Sequence, residues 1–280
     1  MIEAVLFSIA LALLAIGAYT DIRTREVPDW VNFSGIIIGI GFRALWGASG
    51  QSWSQLGYGV LGLIVFFALA IVMYYAGQWG GGDSKLLMAM GALLGFWFSR
   101  DNAGLGFLLW ALLAGAIYGI AWSIVMAFKN RRLFFHNYAA LAKTLSWARL
   151  PVLITLVLGI AFAIATNDPL FRMLLLLVAL LTPALFYTAI GVKAVEKSCM
   201  YRNIPPSLLT EGDWIAKPVY YKGKYICGPK DRGISKKTIK KLQRLGIKKV
   251  RVKDGIPFVP SFLLAFILYW IFGSPLMWLV

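Results

Sequence analysis

Eight stretches of the chain are runs of apolar residues interrupted only by small, aromatic or isolated polar ones. They extend from Ile2 to Thr20, Trp30 to Trp46, Leu56 to Ala76, Ser84 to Phe98, Leu105 to Phe128, Leu150 to Thr166, Leu170 to Val192, and Val259 to Leu279. A helix that crosses a bilayer needs about 20 predominantly apolar residues, so each run predicts a span, the second being short. Glycines recur four apart at Gly35 and Gly39, Gly91 and Gly95, and Gly115 and Gly119. Such small-residue pairs predict close helix packing in lipid. The first run predicts a retained helix rather than a cleaved leader. Glu3 stands where a basic region would be, and no small-residue cleavage site follows before Asp21.

The pattern changes after Val192. Residues 193–256 are mostly polar, with turn signals at Gly212-Asp213 and Tyr221-Lys-Gly-Lys. Ser235 precedes a helical pattern that places Ile239, Leu242 and Leu245 on one face, and Ile247 to Val252 predicts a strand. The fold expected is an all-α polytopic membrane protein of about eight transmembrane helices or fewer. A small α+β cytoplasmic domain is inserted before the last helix. By residue, 1–192 are expected to form a transmembrane bundle, 193–256 the soluble domain, and 257–280 the final helix of the bundle.

Composition agrees: 60% of the 280 residues are hydrophobic and 14% charged, with a mean hydropathy of +0.74. Soluble chains carry about 25% charged residues. The formal charge of +16 could signal nucleic acid. Its placement argues otherwise. Alternating the eight spans gathers all but three of the 28 Lys and Arg on one side, leaving Arg43, Arg100 and Arg172 on the other. That bias predicts a cytoplasmic basic side. It makes the charge chiefly a matter of topology and counts against a nucleic-acid partner.

Cys199 and Cys227 form no Cys-x-x-Cys pair, and His136 is the one histidine, so neither a zinc ribbon nor a histidine-rich metal site is expected. Trp30, Trp46, Trp53, Trp79, Trp97 and Trp147 fall near span ends and read as interfacial anchors.

Carboxylates beside a membrane are costly and ask for a reason. Of the 12 acidic residues, Asp21, Glu26, Asp29 and Asp83 fall at the basic edge of the spans. Asp21 closes the first span; Asp83 opens the fourth, after Gly80, Gly81 and Gly82. Two carboxylates at one depth repel each other's charge, so the pair would hold one proton. The ionised member could take a proton from water while the other gives one to a peptide carbonyl. No metal or cofactor is needed. The glycines would let a substrate backbone approach closely.

The run Gly80-x-Gly82-Asp83-x-Lys85-Leu86, with Gly91 and Gly95, resembles the GxGD segment of type IV prepilin peptidases. Asp21-x4-Glu26-Val27-Pro28-Asp29-x2-Asn32 is similar to the other catalytic segment of that family. The likeness is to the archaeal branch, the preflagellin and prepilin peptidases. It is close over roughly the first hundred residues and looser in the layout of spans. Ile256-Pro-Phe-Val-Pro-Ser-Phe is similar to the entry of the family's last helix. The resemblance implies Asp21 and Asp83 as catalytic aspartates. It implies prepilin or preflagellin substrates whose short basic leaders are removed at the cytoplasmic face of the cell membrane. Gly80, Gly81 and Gly82 would contact substrate, and Glu26 and Asp29 would receive leader Lys or Arg. Lys85 reads as structural. Membrane lipids are the other partner. The short loop after the first span lacks the cysteines of bacterial members, which sets methyl transfer aside.

Two other classes are weighed. A signal-peptide-peptidase-like protease also uses GxGD, but its aspartates lie on adjacent helices, Thr20 precedes Asp21 here, and Pro183-Ala-Leu185 falls outside its expected order. A transporter or scaffold would use the aspartates as a proton path, which midplane carboxylates would favour.

Overall fold

The computed structural model describes residues 2–231 and 233–278. Among these the chain forms α1 (Ile2–Thr24), α2 (Asp29–Ala48), α3 (Ser54–Tyr75), α4 (Gly81–Leu94), α5 (Ala103–Lys129), α6 (Arg131–Thr144), α7 (Arg149–Ala165), α8 (Pro169–Cys199), α9 (Lys236–Arg244) and α10 (Val259–Phe272). Six helices, α1, α2, α3, α5, α7 with the turn before it, and α8, are long and apolar enough to cross a membrane. The architecture is that of a mostly α-helical polytopic membrane protein with a small sheet region near its C-terminal end. Two compact units divide it: Met1–Gly119 with Gly255–Val280, and Ile120–Asp254.

Two expected spans are shorter than a bilayer. Helices α4 and α10 have 14 residues each, about 21 Å at the usual rise of about 1.5 Å per residue. Each ends on a glycine that takes a left-handed backbone, Gly95 at φ 73° and Gly273 at φ 70°. Beyond Gly273, Pro275 cannot continue a helix. The expected span to Leu279 therefore stops at Phe272, and Leu279 itself lies outside the described residues. Conversely, α8 outruns its expected end at Val192, and the basic stretch after Lys129, expected as loop, forms α6.

In the first unit, α4 is the innermost helix. Leu86, Leu87, Ala89, Met90 and Ala92 are all fully buried. It packs between α2 and α3, and glycines permit this. A methyl at Gly62 or Gly91 would collide with the other's carbonyl, and one at Gly39 would come 2.8 Å from the Ala92 carbonyl carbon. Gly119, expected in a close pair, faces open space. Trp79, expected at the interface, is buried among Phe258 and Phe262, with ring centroids 5.9 and 5.4 Å away.

The far end of α4 is held by a buried cation. Arg43 of α2 is 2% exposed. Its Nη2 donates to the Leu93 carbonyl at 2.8 Å and its Nε to Ala92 at 3.3 Å. Its Nη1 donates to Gln55 Oε1 at 2.7 Å. The last carbonyls of a helix have no partner within it; here the guanidinium supplies one, at the end where the helix dipole favours positive charge.

In the second unit, α7 and α8 pair, with Ala179 taking the space opposite Gly159. Beyond α8 lie β1 (Tyr201–Ile204), β2 (Trp214–Ile215), β3 (Val219–Tyr221), β4 (Lys224–Cys227) and β5 (Val250–Lys253). Strand β5 is central in an antiparallel sheet ordered β1-β5-β2, with Tyr201 and Trp214 both opposite Lys253. Strands β3 and β4 form a hairpin whose two turn residues, Lys222 and Gly223, both have positive φ, as a two-residue hairpin turn requires. Ser235 caps α9 by accepting the Thr238 N–H. Ile239 and Leu242 then seal a core with Ile215, Val250 and Val252.

Candidate active site

Asp21 lies in the last turn of α1, where an exposed side chain would be cheapest, yet it is 5% exposed. The reason is a partner from the other end of the chain. Asp21 Oδ2 accepts the backbone N–H of Val259 at 2.9 Å. Val259 is the first residue of α10, and the first N–H groups of a helix lack internal acceptors. The carboxylate thus anchors an anion at a helix N-terminus. Asp83 stands in the same relation to α4. It occupies the third position of that helix, and its Oδ2 accepts the Gly80 N–H at 2.9 Å.

Contacts around the two aspartates bring them to one level. A methyl at Gly17, one turn before Asp21, would touch Leu86 at 3.2 Å, Val259 at 3.3 Å and Val27 at 3.7 Å. A methyl at Gly82, next to Asp83, would touch Val27 at 3.3 Å. Leu86 is one turn after Asp83. Val27, buried between α1 and α2, therefore meets both segments. Asp83 lies within reach of the Asp21 charge.

The glycines serve by their size. None of Gly80, Gly81 and Gly82 takes a positive φ, and Gly80 is extended at φ −72° and ψ 168°. A methyl at Gly80 would lie 3.3 Å from Asp83 Oδ2, whereas one at Gly81 would meet nothing within 4 Å.

The remaining candidates line the chain between α1 and α2. Glu26 and Asp29 are both exposed. Asp29 is engaged: Lys85 Nζ lies 2.6 Å from its Oδ1 and 5.6 Å from the Phe33 ring centre. Lys85 thus ties the start of α2 to the first turn of α4. Arg25, in a left-handed backbone at φ 62°, donates to the Gly255 carbonyl. These two ties frame the aspartates. The Val259 N–H escaped sequence reasoning, although Pro260 marks a helix start. Its partner lies over two hundred residues earlier in the chain.

Residues 8–120, which hold both aspartates, match the model of the type IV leader peptidase family. Two curated relatives are preflagellin peptidases from archaea. That of Methanocaldococcus jannaschii is 34% identical over 85 residues, 30% of this chain and 36% of that protein. That of Methanococcus maripaludis is 31% identical over 81 residues, 29% of this chain and 35% of that protein. The chain spans about a third of the length of the curated relatives it matches. No solved structure matches the chain significantly. Over residues 8–120, then, the chain is similar to the type IV leader peptidase family, and in part to archaeal preflagellin peptidases.

Proposed function

We propose that the protein is a membrane aspartic endopeptidase of the GxGD type that removes short basic leader peptides from prepilins or preflagellins. The observation that carries the reading is the common level of Asp21 and Asp83, each anchored on a helix N-terminus. The family of residues 8–120 supports it.

The chemistry follows from the pair. With one proton between them, the ionised carboxylate takes a proton from water as the water oxygen bonds to the scissile carbonyl carbon. The protonated partner gives its proton to the carbonyl oxygen. The tetrahedral adduct then breaks its C–N bond as the nitrogen takes a proton from the dyad. The leader leaves with a new carboxyl group and the mature protein with a new amino terminus. The Gly80–Gly82 segment would lie along the extended substrate, and the positive-inside bias would set this end of the bundle at the cytoplasmic face. Residues 193–256 would form the cytoplasmic domain.

Leader cations would be received by Glu26 and Asp29, where a substrate Lys or Arg competes with Lys85 for Asp29. Reversing both charges, Glu26→Lys with Asp29→Lys, is expected to raise the KM for a basic leader roughly fivefold while kcat holds. Unchanged KM would remove the two residues from the site. Among the glycines, Gly81→Ala is expected to keep the parental Tm and to lose less than about tenfold in kcat/KM, since a methyl there meets nothing of the protein within 4 Å and only substrate would feel it. Gly82→Leu, driven against Val27, should lose on the order of 100-fold in kcat/KM. Equal effects at the two positions would dismiss the packing argument.

The deciding assay uses the purified full chain with a prepilin or preflagellin bearing a basic leader. Cleavage at the leader junction, found by mass and retained in EDTA, is expected. Intact substrate after long incubation with folded protein would refute the reading.

A further inference from the structure

Asn32 lies on the buried stripe of α2 with Gly35, Gly39 and Arg43. It is wholly buried, and neither its Oδ1 nor its Nδ2 has a hydrogen-bond partner. Its depth can be fixed from its neighbours. A methyl at Gly35, three residues on, would touch Leu13 of α1 at 2.9 Å and Ala89 of α4 at 2.8 Å. Helices α1 and α2 run oppositely, and α2 and α4 run alike. One turn back from Gly35 therefore brings Asn32 level with Gly17 on α1 and Leu86 on α4. Those two residues themselves meet, as the contact of 3.2 Å from Gly17 to Leu86 requires. Asn32 is thus set at the junction of α1, α2 and α4, one helical turn further along the bundle than Asp21 and Asp83.

We propose that Asn32 is a positioning residue that holds the attacking water against the aspartate pair; this rests on the peptidase reading. A carboxamide offers a donor and an acceptor together, and a buried water typically takes about three hydrogen bonds. Two would go to the carboxamide and one to the ionised carboxylate. The offset along the bundle is one helical turn, about 5.4 Å, a rise that a single water hydrogen-bonded at both ends at about 2.8 Å can bridge. The water oxygen becomes the new bond to the carbonyl carbon, one of its protons passes to the ionised carboxylate, and the other stays on the hydroxyl. Asn32 exchanges no proton. A side chain kept only for packing would be apolar here, because a buried unpartnered amide disfavours the fold.

The test compares the full chain with Asn32→Leu and Asn32→Ser on one basic-leader substrate, alongside Asp21→Asn. Asn32→Leu is expected to keep or raise Tm and to leave KM within about twofold. Its kcat should fall by on the order of 100-fold. Asn32→Ser, whose hydroxyl can hold a water, should recover a large part of kcat. A residue that served only the fold would lose Tm, and its serine variant would rescue nothing. Parental kcat in Asn32→Leu, or a loss of kcat that follows a loss of Tm without rescue by Ser, would overturn the proposal while leaving the peptidase reading intact. A folded parent that does not cleave would overturn both.

Discussion

Asp83→Asn is expected to lower kcat by about 1,000-fold or more, and Asp21→Asn by a comparable factor, with both proteins folded. Asparagine preserves the shape and one acceptor oxygen. The Gly80 N–H that Asp83 accepts at 2.9 Å keeps its partner. So does the Val259 N–H that Asp21 accepts at 2.9 Å. What is lost is the capacity to take or give a proton. Each aspartate does half of one transfer, so the double variant should be no slower than the worse single one. Initial rates on a basic-leader substrate, with Tm measured alongside, separate the outcomes. Cleavage at the parental rate by either variant would end the claim for a dyad. A large fall in Tm would assign the aspartates to capping α4 and α10.

The capping role explains what the sequence conveyed and what it hid. Apolar runs announced the spans, because membrane helices are read from local composition. The turn at Tyr221-Lys-Gly-Lys was equally local, and the structure closes it as a hairpin whose two turn residues have positive φ. Asp21 and Asp83 stood out because few other carboxylates fall at the span edges. The partners of those residues were hidden. Nothing near Asp21 in sequence points to Val259, and nothing near Asp29 points to Lys85. Gly62 has no glycine four residues to either side, yet it makes room for Gly91. Boundaries failed where packing overrides hydropathy. Helix α10 stops at Phe272 although apolar residues continue, because Gly273 turns the backbone. Arg43 read as a residue of the sparse side, whereas it is among the most buried large side chains.

That burial makes Arg43→Leu the variant with the largest expected effect on the fold. The guanidinium serves the Ala92 and Leu93 carbonyls and Gln55 at once. Leucine fills part of the space but leaves at least two carbonyls at the end of α4 without a donor, in surroundings where water does not replace it. Each such group costs about 1–3 kcal/mol, so a loss of roughly 3–5 kcal/mol, or a Tm lower by about 10 °C, is expected. Lysine should rescue little, because a single ammonium lacks the planar fork that reaches three acceptors. Arg172→Leu is the control, since that side chain is exposed and, among the described residues, donates only to the Thr166 carbonyl at 2.7 Å. Cleavage should fall with the fold in Arg43→Leu, because the helix that loses its cap carries Asp83 at its other end. A Tm unchanged from the parent would mean that α4 holds its place through Gly62 and Gly91 packing alone.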